Sequence, residues 1–169
     1  MKTRTSFEIS ELREQHWQQV RAVYAEGIAT GLATFETDVP SGENWDERQL
    51  SCCRLIAQDG ETIKGWAALS PVSARGAYAG VAEVSVYVGA QHRGEGVGRA
   101  LLEALIEDSE QNGIWMLQAG IFALNDVSVR LHAQCGFRLV GRRERIARLN
   151  GRWLDTILME RRSTVVGVD

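Results

Sequence analysis

Between Ala82 and Ala104 the chain passes from a β-branched and aromatic run (Val84, Val86, Tyr87, Val88) through a turn into three alternating glycines, Gly94, Gly96 and Gly98. An amphipathic stretch follows, with Val97, Leu101, Leu102, Leu105 and Ile106 on one face and Arg99, Glu103, Glu107 and Glu110 on the other. Strand, glycine-rich loop and helix in direct succession aim bare backbone N–H groups at one point. The glycines clear side chains from the path, and the helix N-terminus adds partial positive charge, so the expected ligand is a phosphate.

The kind of phosphate follows from the spacing. No Gly-Lys-Ser/Thr follows, which removes the Walker loop, and Gly94-x-Gly96-x-Gly98 is not the G-x-G-x-x-G of a dinucleotide fold. Gln91-His92-Arg93-Gly94-Glu95-Gly96 instead resembles Gln/Arg-x-x-Gly-x-Gly/Ala, the pyrophosphate loop of the GNAT acetyltransferases. Taken alone, the motif is also compatible with an ordinary glycine-rich turn; the flanking strand and helix favour the resemblance.

A chain of 169 residues has single-domain length and can bury roughly 70% of its unfolded surface. Its net charge of −3 argues against nucleic acid as the main partner, because phosphate-backbone binding calls for a basic excess. No apolar run approaches the ~20 residues of a membrane span, and the N-terminus lacks a signal-peptide core, so no membrane association and a cytoplasmic location are expected. Cys52, Cys53 and Cys135 are an odd count without C-x-x-C spacing, and His16, His92 and His132 are scattered. Neither a disulfide framework nor a metal is expected. The adjacent Cys52 and Cys53 read either as buried or incidental thiols or, less readily, as ligands for a soft thiophile.

Residues 4 to 9 read as a first strand, and Ser10 as the cap of a helix of about sixteen residues with Trp17, Val20, Tyr24 and Ile28 on its apolar stripe. Gly27 and Gly31 are expected to break that pattern, and a loop over 30–39 carries Phe35 and Glu36. A second, polar helix is expected near 43 to 52. Leu55 to Gln58 and Thr62 to Ser70 read as strands joined at Asp59-Gly60. The central strand, phosphate loop and third helix follow, with Gly113 as its stop. Trp115 to Phe122 is a further strand and Asn125 to Cys135 a short helix closed by Gly136. Phe137 to Leu149 and Arg152 to Met159 form a hairpin across Asn150-Gly151, a strong hairpin signal.

The resulting order, β-α-α-β-β-β-α-β-α-β-β, resembles the GNAT order over nearly the whole chain. It implies an α/β (α+β) fold with one domain over 1–169. Its single mixed, mostly antiparallel twisted sheet would be flanked by about four helices. A second motif carries the resemblance independently: Asn125-x-x-Ser128-x-x-Leu131-His132-x-x-x-Gly136-Phe137 is similar to Asn-x-x-Ser-x-x-Leu-Tyr-x-x-x-Gly-Phe of that superfamily. Thr34-Phe35-Glu36-Thr37, Arg75-x-x-Tyr78, Glu83-x-Ser85-Val86-Tyr87-Val88, Leu131-His132 and Gly151-x-Trp153-x-Asp155 resemble the phosphinothricin acetyltransferase branch. That branch acetylates glutamate-like amino acids such as phosphinothricin, methionine sulfoximine and, in some members, arsinothricin.

The resemblance implies acetyl-CoA as co-substrate. Its pyrophosphate would lie on the N–H groups of Gly94, Glu95, Gly96, Val97, Gly98 and Arg99, and its pantetheine arm would pair like an extra strand with Val86, Tyr87 and Val88. Arg93 either adds charge near the phosphates or is a solvated loop residue. Asn125 caps the following helix, hydrogen-bonds the CoA arm, or does both, since its amide has donors and an acceptor; Ser128 is a weaker candidate for the same arm. An α-ammonium is mostly protonated at neutral pH, so a carboxylate must accept its proton before attack. The family match and this requirement point to Glu83, whose alternative role is to anchor a loop or bind the substrate nitrogen. His132 stands where most of the superfamily has Tyr. It either protonates the departing thiolate, assists Glu83, or packs as a structural histidine.

On the substrate side, Arg75 is the candidate for binding the substrate's oxyanion through two parallel hydrogen bonds. Phe35 and Tyr78 would wall the pocket or belong to the core. Arg142, Arg143, Arg145 and Arg148 form a basic run that reads either as a solvated face or as a dimer-shared anion site. The expected activity is N-acetylation of a small amino acid by a homodimer. The alternatives are acetylation of a protein N-terminus or lysine, and a CoA-binding module without catalysis.

Overall fold

A computed structural model describes residues 6–169 of the chain. Its elements are β1 (Glu8–Glu11), α1 (Trp17–Ala29), α2 (Gly42–Arg48), β2 (Leu55–Asp59), β3 (Thr62–Pro71), β4 (Val81–Val88), α3 (Val97–Gln111), β5 (Met116–Phe122), α4 (Asp126–Gln134), β6 (Arg138–Leu149) and β7 (Arg152–Arg162). The seven strands form one sheet in the order β1-β2-β3-β4-β5-β7-β6. Neighbours run antiparallel except β4 and β5, which are parallel. This is the GNAT arrangement expected from the sequence: a mixed, mostly antiparallel sheet with four helices.

The sheet is covered on both faces. Leu101, Leu102 and Leu105 of α3 pack with Ala67, Leu69, Ala82, Val84, Leu117 and Ala119 on one side. Val20, Val23 and Tyr24 of α1 and Trp45 of α2 pack with Ile56, Ile63, Trp66 and Ala68 on the other. β3 lies between these layers, and every residue from Ile63 to Leu69 is buried. That placement explains why its sequence is almost continuously apolar rather than alternating.

Three local expectations are corrected. Ser10 does not cap a helix but pairs with Ile56 in the β1–β2 ladder. The helix is entered instead through a 3-10 turn, where the Arg13 N–H donates to His16 Nδ1 at 3.0 Å. Two residues of the expected first strand, Arg4 and Thr5, lie outside the described residues. Gly27 does not break α1 but is buried inside it, because a Cβ there would stand 2.6 Å from the Tyr87 ring. The helix stops at Gly31, whose φ of +65° only glycine adopts freely. The second helix ends at Arg48, since the Leu50 N–H is already committed to Leu69 O at 2.7 Å. The Asn150-Gly151 turn, with both φ positive (+48° and +79°), joins β6 to β7 as the sequence indicates.

Candidate active site

The parallel pairing of β4 with β5 covers only Val81–Met116, Ala82–Leu117 and Glu83–Gln118. Beyond Glu83, β4 stays paired to β3 as far as Val88, while β5 continues against β7. The two strands therefore part at Glu83. The β5-facing backbone groups of the rest of β4 have no strand partner among the described residues. Two adjoining cavities fill the gap, of about 440 Å³ and 560 Å³. Leu32, Ala33, Val86, Tyr87, Asn125 and Ser128 border both.

The larger cavity lies on the glycine-loop side. Val86, Tyr87 and Val88 line it, together with Arg93, Gly94, Gly96, Val97, Gly98 and Arg99. Gly94 and Gly96 have φ of +80° and +84°, and no protein atom lies within 4 Å of where their Cβ atoms would be. Gly96 is the N-cap of α3, without a side-chain cap and without an acidic residue in the first turn. None of the N–H groups from Gly94 to Arg99 donates to a partner among the described residues; the first helical bond is Ala100 N–H to Gly96 O, 3.0 Å. Arg93 to Gly96 are exposed and Gly98 is half-buried, so a helix N-terminus left open in this way is accessible to an anion.

The loop is braced from beneath. Lys64 Nζ of β3 meets Glu95 Oε2 at 2.9 Å and Asp59 Oδ2 at 3.6 Å. This pairing holds the Glu95 carboxyl below the ordinary carboxylate range, and Glu95 is the one residue from Arg93 to Arg99 that does not line the cavity. Glu26 Oε2 accepts from the Ala90 N–H at 2.6 Å at the loop's other end. Lys64 and Glu26 were not singled out in the sequence, where nothing links them to Glu95 and Ala90, 31 and 64 positions away. The Tyr87 ring is stacked on Trp66 at 4.7 Å.

The smaller cavity holds the candidate chemistry. Glu83 is half-buried, and its Oε2 accepts from Gln118 Nε2 at 2.8 Å across the last paired rung. Gly120, two residues further along β5, leaves open the space beside the other oxygen, with a Cβ there lying 3.9 Å from Glu83 Oε1. His132, buried on α4, also lines this cavity. Its Nδ1 stands 2.7 Å from Ser128 O. A carbonyl oxygen only accepts, so Nδ1 carries the proton, and burial lowers the ring's pKa. The neutral ring then presents Nε2 as a proton acceptor.

Asn125 caps α4 through Oδ1 to the Ser128 N–H (3.1 Å) and straps the 30–39 loop through Nδ2 to Leu32 O (3.1 Å). Ser128 lies between Asn125 and His132 and borders both cavities. Phe35 packs edge-on against Phe122 at 4.6 Å and walls the smaller cavity. Arg75 and Tyr78 are not brought to either cavity. They occupy the exposed β3–β4 connection, where the Arg75 guanidinium sits 5.6 Å from the Tyr78 ring centroid. That connection leaves the sheet past the Pro71–Ala82 rung, beyond the end of the gap.

Among the described residues there is no cluster of three or more metal-ligating side chains and no helix long and apolar enough to cross a membrane. Cys52, Cys53 and Cys135 are free; the Cys52 and Cys53 sulfurs are in contact at 3.3 Å, away from both cavities.

Comparison with known proteins agrees with this geometry. The family model "Acetyltransferase (GNAT) family" matches residues 13–137. The phosphinothricin N-acetyltransferase of Alcaligenes faecalis is 34% identical over 160 residues, which span 89% of this chain and 79% of that protein. The L-methionine sulfoximine/L-methionine sulfone acetyltransferase of Pseudomonas paraeruginosa is 36% identical over 148 residues, 83% of this chain and 86% of that one. The crystal structure of a phosphinothricin acetyltransferase from Sinorhizobium meliloti in complex with acetyl-CoA superposes with a TM-score of 0.87 at 25% identity, covering 97% of this chain and 92% of that chain. With a splayed β4–β5 pair, an open glycine loop on α3 and a family match across both, this chain belongs to the GNAT family of acetyltransferases.

Proposed function

We propose that the protein transfers acetyl from acetyl-CoA to the α-amino group of a small glutamate-like amino acid or toxic analogue. The observation that carries this reading is the placement of Glu83 where β4 and β5 separate, in a cavity continuous with the open phosphate loop. The residues present fit the co-substrate: free N–H groups over Gly94–Arg99 suit a pyrophosphate, and unpaired β4 backbone suits an amide-bearing arm. Acetyl-CoA bound there would supply an acetyl group activated as a thioester.

The chain's own groups then have separate tasks. Glu83, steadied by Gln118, accepts the ammonium proton so that the amine has a free lone pair. His132 Nε2 is an acceptor rather than a donor, which favours a role beside Glu83 over protonation of a leaving thiolate. Phe35 and the strapped Leu32 segment shield the reacting end from water. A cavity of about 440 Å³ suits a free amino acid. The names of the relatives point to phosphinothricin and methionine sulfoximine as first substrates to try; acetylation of such toxic analogues would serve their detoxification. We take the active assembly to be a cytoplasmic homodimer joined near the β6–β7 hairpin, which light scattering would show as twice the monomer mass. The test of activity is thiol release from acetyl-CoA with phosphinothricin, methionine sulfoximine, methionine sulfone, arsinothricin and the common amino acids. Release with none of them, while a peptide N-terminus is acetylated, would replace this reading.

A further inference from the structure

Of the five arginines of β6, Arg138 is paired with Glu160, and the four between 142 and 148 have separate fates. Arg142 is bound to Asp155, with Nε 2.7 Å from Oδ2. Arg145 and Arg148 both lie over the Trp153 ring, 5.6 Å and 5.2 Å from its centroid. Arg143 alone lines the cavity that holds Glu83, and its side chain has no hydrogen bond or ion pair among the described residues. The other carboxylate in that lining, Glu36, is engaged by Arg48 at 3.2 Å.

The backbone fixes Arg143 there. The β6–β7 register breaks between Arg143 and Ala147, and Arg145 in the bulge has φ of +49°. Asp155 clasps both sides of this irregularity. Its Oδ2 takes the Arg142 side chain and its Oδ1 accepts the Arg145 N–H at 2.8 Å. Arg143, held between them, pairs with Thr156, which pairs in turn with Phe122 of β5. Residues directly opposite across a ladder share a face, and so do alternate residues along a strand. Gln118, Gly120 and Phe122 are therefore on one face, with Glu83 opposite the first and Arg143 in line with the last. Arg143 and Glu83 look onto the same side of the sheet from its two ends of the cavity.

Resting on the proposed acetylation of an amino acid at Glu83, we infer that Arg143 is the specificity residue that binds an anionic group at the far end of the substrate side chain. Glu83 and Arg143 stand three strand positions apart, about 14 Å at a strand spacing of ~4.8 Å. They are also offset by the four residues from Gln118 to Phe122, about 13 Å at a rise of ~3.3 Å, so their backbones are roughly 20 Å apart. Side chains from both ends shorten that span without closing it. The α-carboxylate is one carbon from the amine and stays near Glu83, so the anion that reaches Arg143 is the terminal one. A guanidinium without a competing carboxylate holds a carboxylate or phosphinate through paired N–H groups. The substrate class is an α-amino acid with an oxyanion several bonds from its amine.

The test compares phosphinothricin, whose side chain ends in an anionic phosphinate, with methionine sulfone, of similar length but neutral. Arg143→Leu is expected to lower kcat/KM for phosphinothricin about 10- to 100-fold, the loss of one charge-assisted contact, mostly through KM. The loss for methionine sulfone should stay within about threefold, and Arg143→Lys should restore part of the phosphinothricin rate. Equal losses for both substrates, or none for phosphinothricin, would overturn the assignment while leaving the acetyltransferase reading in place. If the unaltered protein acetylates no amino acid, that reading falls and this inference with it.

Discussion

Replacing Glu83 with Gln isolates basicity from shape. Glu83 Oε2 accepts one hydrogen bond, from Gln118 Nε2 at 2.8 Å, and Glu83 forms no ion pair among the described residues. A glutamine in the same rotamer turns its carbonyl oxygen to Gln118 and keeps that bond. Its NH2 then occupies the position of Oε1, facing the open side of Gly120 where a Cβ would be 3.9 Å away. No packing is lost, so stability should stay near wild type, and acetyl-CoA affinity should be unchanged because its proposed contacts are backbone groups further along β4 and the loop. Loss of a general base costs ~100- to 10,000-fold in rate, equivalent to about 2.7–5.4 kcal/mol in the barrier. The assay is single-turnover acetylation with saturating acetyl-CoA, followed across pH. The Glu83→Gln rate should rise with pH as free amine becomes available without a base, and partly close the gap at alkaline pH. Glu36→Gln is the control, since Glu36 lines the same cavity but is committed to Arg48. Combining Glu83→Gln with His132→Gln asks whether the two act as one unit: a double variant no slower than the slower single variant indicates a shared proton path. A Glu83→Gln protein with wild-type single-turnover rate at neutral pH would refute the assignment of the proton to this carboxylate.

Three further outcomes follow from particular contacts. Gly96→Asp meets no protein atom, but its φ of +84° costs a non-glycine residue roughly 1–2 kcal/mol, so melting should drop by a few degrees. Its carboxylate at the phosphate position should raise the acetyl-CoA Kd more than tenfold by calorimetry. Gly80→Ala would place a Cβ 2.0 Å from the Trp115 ring just where β4 begins, and should cost ~1–3 kcal/mol or more, read as a fall in Tm of about 2–4 °C per kcal/mol. His132 is kept neutral by burial, so between its lowered folded pKa and the ordinary value near 6.5 the unfolded chain binds more protons than the folded one. Its contribution to stability is therefore complete above about pH 6.5 and is lost as pH falls toward the folded pKa; His132→Gln should remove that part of the pH slope in urea unfolding.

The strand, glycine loop and helix start that line the larger cavity were legible because they are contiguous in sequence. Val86 to Arg99 supplies strand, loop and helix start with no distant residue, and the glycine spacing carries the requirement for exposed N–H groups in the residue types themselves. Asn125 and His132 were legible for a similar reason, as a helix cap and a residue two turns later on the same helix. The braces were not. Lys64 and Glu95 meet only because the β3–β4 pairing brings Gly65 opposite Val88, beside the start of the loop. Gly27 read as a helix breaker because its packing against Tyr87 depends on the sheet beneath α1.

The substrate half depends on register, which no local pattern reveals. In the sequence Arg75 and Arg143 are equivalent cations, and Arg75 has the better position beside the central strand. The β3–β4 connection nevertheless turns outward past Pro71, and Arg75 settles over Tyr78. Arg143 is one of four arginines in seven residues, indistinguishable by spacing from its neighbours. What separates it is Asp155, which takes up Arg142 and the Arg145 N–H and so leaves the residue between them opposite Thr156, on the face of Glu83. If Arg143 selects the substrate, Asp155 acts on specificity without lining the cavity. Asp155→Asn, which keeps the size but weakens both bonds, should loosen the phosphinothricin preference set by Arg143 while leaving the rate with methionine sulfone nearly unchanged; a variant that slows both substrates alike would mean that the bulge serves folding rather than selection.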